Sequence, residues 1–304
     1  MSWLTRSTLS PCDCVSACES WRKRGIFVEH GSFGSDVFGN NRVSSVLLTS
    51  DEKTLNGFIS HWSENPYNAG TAIVEGCTAG ESRCPFELYK GMKTFEWYDT
   101  PEGAPARQRL AQAMVGAEPV THGGLVYDFD WSTYSHIVDV GGGLGGAAVE
   151  LLRRFPSMHI TLQDQANVLD KAPDFWQERA AEHRHRVTFS PHDFFGPQTV
   201  CSSAYFLRLV LHDWEDKDAV RILKPLRDAL EVFGPEARLF IAETVIRPAT
   251  PRFTHQIDMQ MLTLLGAYER TESQFQDILS QSAFAIKCIH SNRGILSLIE
   301  AVLV

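Results

Sequence analysis

The clearest hydrophobic pattern in the chain is an alternation of short apolar runs and helical segments that begins at residue 136. β-Branched and aromatic residues dominate the runs, and the segments between them carry apolar residues three or four positions apart. The predicted strands span 136–140, 158–163, 187–189, 204–207 and 238–242. The predicted helices span 146–154, 173–183 and 216–231. This alternation predicts an α/β domain with a parallel sheet.

The first part of the chain has a more mixed pattern. Residues 18–25 predict a short helix that ends at a glycine, and residues 26–29 and 36–38 flank a turn and predict a hairpin. Further helical segments are predicted at 55–62, 86–98 and 104–115, of which the second is strongly aromatic. We therefore predict two domains, residues 1–115 and residues 116–304.

The segment that joins the first strand of the alternating region to its helix is rich in glycine. Residues 136–146 read His-Ile-Val-Asp-Val-Gly-Gly-Gly-Leu-Gly-Gly. Glycine accepts positive φ angles and lets a ligand approach the backbone, so this arrangement is typical of nucleotide-type sites. Gly141, Gly143 and Gly146 also match the dinucleotide pattern G-x-G-x-x-G, with Asp164 at the distance of a ribose-binding acid. The turn alone leaves a dehydrogenase and a purely structural role open.

Ionisable residues follow the carboxyl ends of the predicted strands, where ligands bind in sheets of this kind. Asp164, Asp193, His212 and Glu243 all occupy such positions. Histidine titrates near neutral pH and accepts a proton from a weakly acidic hydroxyl, so His212 is a candidate general base. The predicted fold allows Glu243 and Glu269 to lie near this ring, where a carboxylate would fix its tautomer.

Composition narrows the function classes. The chain has 304 residues, of which 43% are hydrophobic and 21% charged, as is typical of a soluble globular protein. The net charge of −9 argues against a nucleic-acid partner, which favours a basic face. No apolar run approaches the roughly 18 residues of a membrane span, and the first residues lack the apolar core of a secretory signal. We therefore expect a cytoplasmic protein that has no membrane partner.

Several short motifs follow one another in a fixed order over residues 20–304. They read Asp-Val-Gly-Gly-Gly-x-Gly, an acid at the end of the second strand, His-Asp-Phe-Phe, Leu-Arg-x-x-Leu-His-Asp-Trp, Ala-Glu-Thr-Val-Ile and Tyr-Glu-Arg-Thr-Glu-x-x-Phe. Together they resemble the caffeate-type S-adenosylmethionine-dependent O-methyltransferases, and most of all the fungal members that act on secondary metabolites. The last motifs are not expected of a dehydrogenase.

The resemblance implies a Rossmann-like, doubly wound sheet of the class I methyltransferase type, preceded by a partial, mostly α, winged-helix-like domain. It implies S-adenosylmethionine as the cofactor, held by Gly141, Gly142, Gly143, Asp164, Asp193, Phe194 and Arg208. Of these, Asp164 would bind the ribose hydroxyls and Asp193 the adenine amine, with Phe194 against the adenine ring. His212 would be the general base, flanked by Glu243 and Glu269.

The resemblance further implies that Met261 and Asp213 contact the substrate, although the spacing at Met261 differs by about one residue from the family pattern. The chemistry requires no metal ion, because the methyl group of the cofactor is already activated. The implied reaction is methyl transfer to a phenolic or enolic hydroxyl of a small, polyketide-like metabolite.

Two alternatives stay open at this point. Some relatives use the charge of the bound cofactor for dehydration or pericyclic ring formation without methyl transfer, and a non-catalytic cofactor-binding homologue would keep the same motifs. Family members also begin with a longer helical region that exchanges between subunits. Since this chain begins near the last helix of that region, we expect any homodimer to be weakened.

Overall fold

A computed structural model describes residues 14–49 and 54–304 of the chain. Its α-helices are α1 (Cys14–Lys23), α2 (Asn56–Ser63), α3 (Asn65–Ala69), α4 (Ile73–Gly76), α5 (Pro85–Lys90), α6 (Thr94–Tyr98), α7 (Ala104–Tyr127), α8 (Gly146–Arg154), α9 (Ala166–Leu169), α10 (Ala172–Arg179), α11 (Asp216–Leu230), α12 (Arg252–Leu265) and α13 (Glu272–Ser280). Its strands are β1 (Phe27–Glu29), β2 (Phe38–Asn40), β3 (His136–Val140), β4 (His159–Asp164), β5 (Val187–Pro191), β6 (Ala204–Arg208), β7 (Arg238–Glu243), β8 (Val245–Ile246), β9 (Arg270–Thr271), β10 (Phe284–Ser291) and β11 (Ser297–Leu303).

A seven-stranded sheet forms the centre of the larger part of the chain, in the order β10-β11-β7-β6-β3-β4-β5. Strands β3 to β7 pair in parallel, which confirms the predicted parallel sheet, whereas β10 and β11 add an antiparallel hairpin at one edge. Because the five parallel strands run in one direction, their carboxyl ends meet along a single edge. The candidate residues predicted at strand ends therefore share that edge.

Apolar side chains bury both faces of the sheet. Trp131, Trp176 and Phe240 pack on one face, and Tyr205 and Phe275 pack on the other. The helices supply matching apolar stripes: α11 buries residues spaced three or four apart, namely Val220, Leu223, Leu226 and Leu230. This two-sided burial explains why the central strands are almost continuously apolar.

Three predicted helices have different bounds in the structure. The helix predicted at 86–98 is wrong as one element, because Gly91 has a φ of 76° and ends α5 before α6 begins. The helix predicted at 104–115 continues to Tyr127. The helix predicted at 173–183 ends at Arg179, and residues Ala181–Arg186 form a 3₁₀ turn instead.

The chain divides into two compact units, one made of residues up to Ser63 with Pro105–Ala117, and the other of Glu64–Ala104 with Glu118–Val304. The first contains α1, the β1–β2 hairpin, α2 and part of α7, and the hairpin confirms the one predicted there. The second contains the seven-stranded sheet. The domain boundary predicted at residue 115 stays a prediction.

In the described part of the chain, no helix has the length and apolar character needed to cross a membrane.

Candidate active site

A tight glycine turn joins β3 to α8 at the carboxyl edge of the sheet. Gly141 and Gly143 have φ angles of 70° and 62°, in the left-handed region that favours glycine. A Cβ atom on Gly142 would lie 2.4 Å from Leu162 Cδ1 and 2.5 Å from a carboxylate oxygen of Asp139. No larger residue fits at Gly142 without moving its neighbours, so the turn presents bare backbone.

Asp164 ends β4 and contacts this turn. One of its carboxylate oxygens accepts a hydrogen bond from the Gly143 amide at 2.8 Å, and the other accepts one from the Gln165 amide at 2.7 Å. Burial raises the pKa of Asp164, and the two amide hydrogen bonds partly offset that rise. The acid that the sequence places at the ribose position therefore lies directly beside the glycine turn.

A second acid, Asp139, lies within β3 just before the turn. It is buried, and neither of its carboxylate oxygens has a hydrogen-bond partner among the described residues. Burial raises the pKa of Asp139 to about 7, although the positive charge of Arg208 acts in the opposite direction. Arg208, at the end of β6, is thus near enough to the turn to act on the acid that precedes it.

The residues predicted to bind adenine follow β5. The ring of Phe194 lies 3.7 Å from the position of a Cβ on Gly141, and it meets Trp214 edge-on with the ring centroids 5.9 Å apart. Asp193 is exposed, and one of its oxygens accepts a hydrogen bond from the Phe195 amide at 3.0 Å. Phe194 therefore flanks the glycine turn, and Asp193 faces solvent beside it.

His212 lies in a short 3₁₀ turn that follows β6. Leu209, just before this turn, has a φ of 53°, a left-handed conformation that costs a non-glycine residue about 1 kcal/mol. Val210 connects the turn to two other parts of the site. Its amide donates to Glu243 Oε1 at 2.9 Å, and its Cγ2 atom lies 2.9 Å from the position of a Cβ on Gly141.

Three carboxylates surround the imidazole of His212. Its Nδ1 atom lies 2.9 Å from Glu269 Oε1 and 3.8 Å from Glu243 Oε2, and its Nε2 atom lies 3.4 Å from Asp213 Oδ1. His212, Glu243 and Glu269 are buried, with Glu243 wholly inaccessible. The structure thus brings the predicted base and its two predicted acids into one cluster and places Asp213 at the opposite nitrogen.

The charges of this cluster set the protonation of the ring. Burial alone would lower the pKa of His212, but the negative charges of Glu243, Glu269 and Asp213 outweigh burial and raise the pKa to about 10. Burial raises the pKa of Glu243 to about 7 and that of Asp213 to about 6, and the charge of His212 opposes both shifts. The cluster therefore holds protons that the separate side chains would release.

Arg270 fixes the turn that carries His212. Its guanidinium is fully buried and donates to the carbonyls of Leu211 and Trp214 at 2.6 and 2.7 Å and to a carboxylate oxygen of Asp216 at 2.9 Å. The first two acceptors lie on either side of His212. A single side chain thus holds the main chain before and after the imidazole.

A two-stranded parallel sheet brings the two glutamates together. In it Val245 pairs with Arg270, so β8, which begins two residues after Glu243, runs beside β9, which begins one residue after Glu269. The amide of Glu269 also donates to Asp258 Oδ1 on α12 at 2.8 Å. These backbone contacts place both acids independently of their own side-chain hydrogen bonds.

A family model for the O-methyltransferase domain matches residues 71–285 of the chain. The chain belongs to this O-methyltransferase family. Members of the family use S-adenosylmethionine as the methyl donor. The family match confirms the resemblance expected from the motifs, and the sheet described above agrees with the expected Rossmann-like fold.

Individual relatives of this family member support the same assignment. The chain is 34% identical over 223 residues to the O-methyltransferase gedA of Aspergillus terreus, a match that covers 65% of this chain and 45% of gedA. It is 37% identical over 157 residues to the 6-hydroxytryprostatin B O-methyltransferase of Aspergillus fumigatus, covering 50% of this chain and 44% of that protein. The matched part thus spans less than half the length of either relative.

A solved structure, that of LaPhzM, has the same fold as this chain. The two superpose with a TM-score of 0.82 at 26% sequence identity, over 94% of this chain and 83% of LaPhzM.

Some residues of the candidate site are not predicted from the sequence. Gly145 has a φ of 95° and caps α8, and a Cβ there would lie 3.0 Å from Leu162 and Trp176. For Gly145, the run of glycines in the motif is the feature of the sequence that could have indicated this role. Arg270 belongs to the Tyr-Glu-Arg-Thr-Glu motif, but the motif alone does not indicate its role, which depends on burial and on contacts across the chain. Asp258 has no such signal. Met261 lies half-buried on α12, and its contact with a substrate stays a prediction.

The protonation of the His212 cluster predicts how stability changes with pH. The pKa of His212 is about 10 in the folded protein against 6.5 for a free imidazole, so the folded state keeps a proton that the unfolded chain releases in this interval. The stabilisation that this proton provides is fully present below pH 6.5 and is lost as the pH rises towards 10. We expect the free energy of unfolding to fall between pH 7 and pH 9.5, by up to about 1 kcal/mol per pH unit.

Urea unfolding at a series of pH values measures this fall, and the His212→Gln variant serves as the comparison. The variant is expected to lose much of the pH dependence in this interval because it has no ring to deprotonate. A midpoint that is constant or rises with pH in the wild type would contradict the prediction.

Proposed function

We propose that this protein transfers the methyl group of S-adenosylmethionine to a phenolic or enolic hydroxyl of a small secondary metabolite, with His212 as the general base. The observation that carries the proposal is the position of this imidazole. It lies after β6 with a carboxylate on each side of its ring, and Val210 connects its turn directly to the glycine turn of β3.

The bare backbone of the glycine turn supports its assignment to the cofactor. Gly142 has no space for a Cβ atom, and Gly143 has open space beside it while its amide is held by Asp164. We assign the turn to the methionine and ribose part, Asp164 to the ribose hydroxyls and Phe194 to the adenine ring. Asp193 and Arg208 complete the assignment at the adenine and near the turn. When bound, S-adenosylmethionine supplies a methyl group activated by its positively charged sulfur.

His212 is placed to take the proton that the acceptor loses. In the proposed reaction Glu269 accepts a hydrogen bond from Nδ1–H and so keeps the basic lone pair on Nε2, the nitrogen that faces Asp213. The hydroxyl of the acceptor donates its proton to Nε2, and the proton remains on His212 until it passes to solvent. The acceptor oxygen would take its methyl group from the bound S-adenosylmethionine.

The raised pKa of His212 is matched to this task. A phenol has a pKa of about 10, and the pKa of His212 is also about 10, so proton transfer between them costs little free energy. The same value keeps the ring protonated in the free protein at neutral pH. Methyl transfer is therefore expected to become faster as the pH rises above 7.

Incubation with S-adenosylmethionine that carries a deuterated methyl group, together with a library of phenols and enols, tests the proposed function. The expected result is an ether that carries the intact labelled methyl group, formed faster at about pH 9 than at about pH 7. A product of unchanged or dehydrated mass would replace methyl transfer by a cyclisation or dehydration. Tight cofactor binding with no conversion across the library would contradict an enzymatic role.

A further inference from the structure

The His212 cluster has a composition and spacing that exceed what a general base requires. Among the described residues, His212, Glu243 and Glu269 each offer one ligand atom within 4.8 Å of the other two, and all three are buried. A base needs one carboxylate to orient its ring, and Glu269 already does so at 2.9 Å. The second glutamate adds a buried charge that the hydrogen bond does not use.

Two carboxylate oxygens of the cluster have no hydrogen-bond partner among the described residues, and this indicates a binding site. The Oε2 atoms of Glu243 and Glu269 are buried and have no hydrogen-bond partner among the described residues, and Glu243 Oε2 lies 3.8 Å from the imidazole Nδ1. Buried carboxylate oxygens without partners are costly, and proteins normally satisfy them with a donor or a cation. A cation beside the imidazole would satisfy Glu243 Oε2 directly and would neutralise the charge of the Glu269 carboxylate.

The distances within the group suit a tetrahedral divalent ion. Zinc binds histidine nitrogen and carboxylate oxygen at about 2.0–2.2 Å, so two of its ligand atoms lie about 3.4 Å apart. The Nδ1 atom of His212 lies 2.9 Å from Glu269 Oε1 and 3.8 Å from Glu243 Oε2, on either side of that value. Small adjustments of the side chains would place all three atoms around one ion.

Neighbouring groups already orient the ligands. Glu243 Oε1 accepts hydrogen bonds from the amides of Val210 and Leu211, each at 2.9 Å, which leaves Oε2 to face the ring. The main chain of Glu269 is held by Asp258 at 2.8 Å. Hydrogen bonds of this kind to the ligand residues are a regular feature of metal sites and raise their affinity.

We propose that Nδ1 of His212, Oε2 of Glu243 and Oε1 of Glu269 form an inhibitory site for Zn²⁺. The ion displaces the Nδ1 proton, which leaves to solvent, and the ring then keeps its remaining proton on Nε2. A ring protonated on Nε2 cannot accept a proton from the substrate. The proposal that zinc binds rests on the geometry of the cluster alone, whereas the proposal that zinc inhibits rests on the proposed function.

Binding is tested on the whole protein, freed of metal with a chelator, by isothermal titration with Zn²⁺ and by the visible spectrum of Co²⁺, which reports tetrahedral coordination. The Glu269→Gln and Glu243→Gln variants keep an amide oxygen for the existing hydrogen bonds but remove a charged ligand. We expect each to weaken Zn²⁺ binding at least about tenfold and to abolish the tetrahedral Co²⁺ bands. Affinity for S-adenosylmethionine, measured in parallel, is expected to change little.

A matched control removes another place where the metal could bind. The exposed Cys288 and the half-buried His290 lie with Sγ and Nδ1 3.9 Å apart on β10, away from the glutamates in the sheet order. The Cys288→Ser/His290→Asn double variant is expected to bind Zn²⁺ at the triad as the wild type does. Loss of the tetrahedral Co²⁺ bands in this control, or their survival in both glutamine variants, would overturn the proposed site.

The inhibition has a separate readout. Zn²⁺ is expected to suppress methyl transfer at the concentration that fills the triad, by lowering kcat, and excess chelator is expected to restore the rate. If Zn²⁺ fills the triad and methyl transfer continues unchanged, the inhibitory role is overturned and His212 is not the base. If no metal binds while methyl transfer still depends on His212, the site is overturned and the proposed function stands.

Discussion

We expect the His212→Ala variant to methylate its acceptor about 10²–10⁴ times more slowly than the wild type, because general-base catalysis contributes a factor of this size. In the proposed mechanism the ring accepts the hydroxyl proton through Nε2, while Glu269 and Glu243 face its other nitrogen at 2.9 and 3.8 Å. The rate under saturating S-adenosylmethionine, measured with the best acceptor of the phenol library, checks the prediction. Affinity for the cofactor is expected to stay within about twofold of the wild type, because His212 is not among the proposed cofactor ligands.

The acidity of the acceptor separates a lost base from a damaged site. A nitro-substituted phenol is already ionised at mildly alkaline pH and needs no base, so the deficit of the His212→Ala variant is expected to shrink with such acceptors. The Asp164→Asn variant is expected to behave in the opposite way, with weaker cofactor binding and a deficit that does not depend on acceptor acidity. An equal loss for acidic and ordinary phenols in His212→Ala would rule out the role of a base.

We expect the second-largest effect from the Arg270→Met variant, which keeps an apolar side chain of similar length but removes the guanidinium. Arg270 donates to the carbonyls of Leu211 and Trp214 within buried surroundings. Its loss removes the side-chain donor of both carbonyls and leaves Leu211 with only the Trp214 amide, at 3.2 Å. The expected cost is about 3 kcal/mol of stability, because hydrogen bonds to charged groups contribute about 1.5–3 kcal/mol each and are only partly additive. Urea unfolding checks this value.

Activity provides a second measurement on the same variant. If Arg270 positions the His212 turn, kcat falls at temperatures where the variant is still folded, while the KM for S-adenosylmethionine changes little. The Arg293→Ala variant is the matched control, since Arg293 also pairs with an aspartate, Asp128, but its side chain is 75% exposed. That exposed pair is expected to contribute less than about 1 kcal/mol and nothing to kcat. A normal kcat in folded Arg270→Met would contradict the positioning role.

Local pattern was sufficient to predict the centre of the fold. The strand at 136–140 and the helix at 146–154 have the predicted bounds, because β-branched residues, a glycine run and an apolar helical stripe all agree there. The region 86–98 shows the limit of this reasoning. Its aromatic residues suit one helix, but Gly91 adopts a left-handed conformation and ends α5. The hairpin of β10 and β11 was not predicted at all.

The sequence predicts the positions of only those site residues that lie at the ends of the predicted strands. His212 and Glu243 follow neighbouring parallel strands, so their proximity follows from the topology. Glu269 was expected beside them chiefly from the resemblance, since 57 residues separate it from His212. Arg270 was not predicted because its function depends on complete burial, which a charged side chain in a polar segment does not indicate. The roles of the cofactor residues stay predictions.

Val210 contacts both the glycine turn and the cluster around His212. Its side chain packs at Gly141, and its amide holds Glu243, which faces the imidazole. Any shift of the backbone at the glycine turn is therefore transmitted through one residue to the carboxylates that govern proton transfer. If the glycine turn binds the donor as proposed, substitutions that move its backbone are expected to alter the geometry of the base as well.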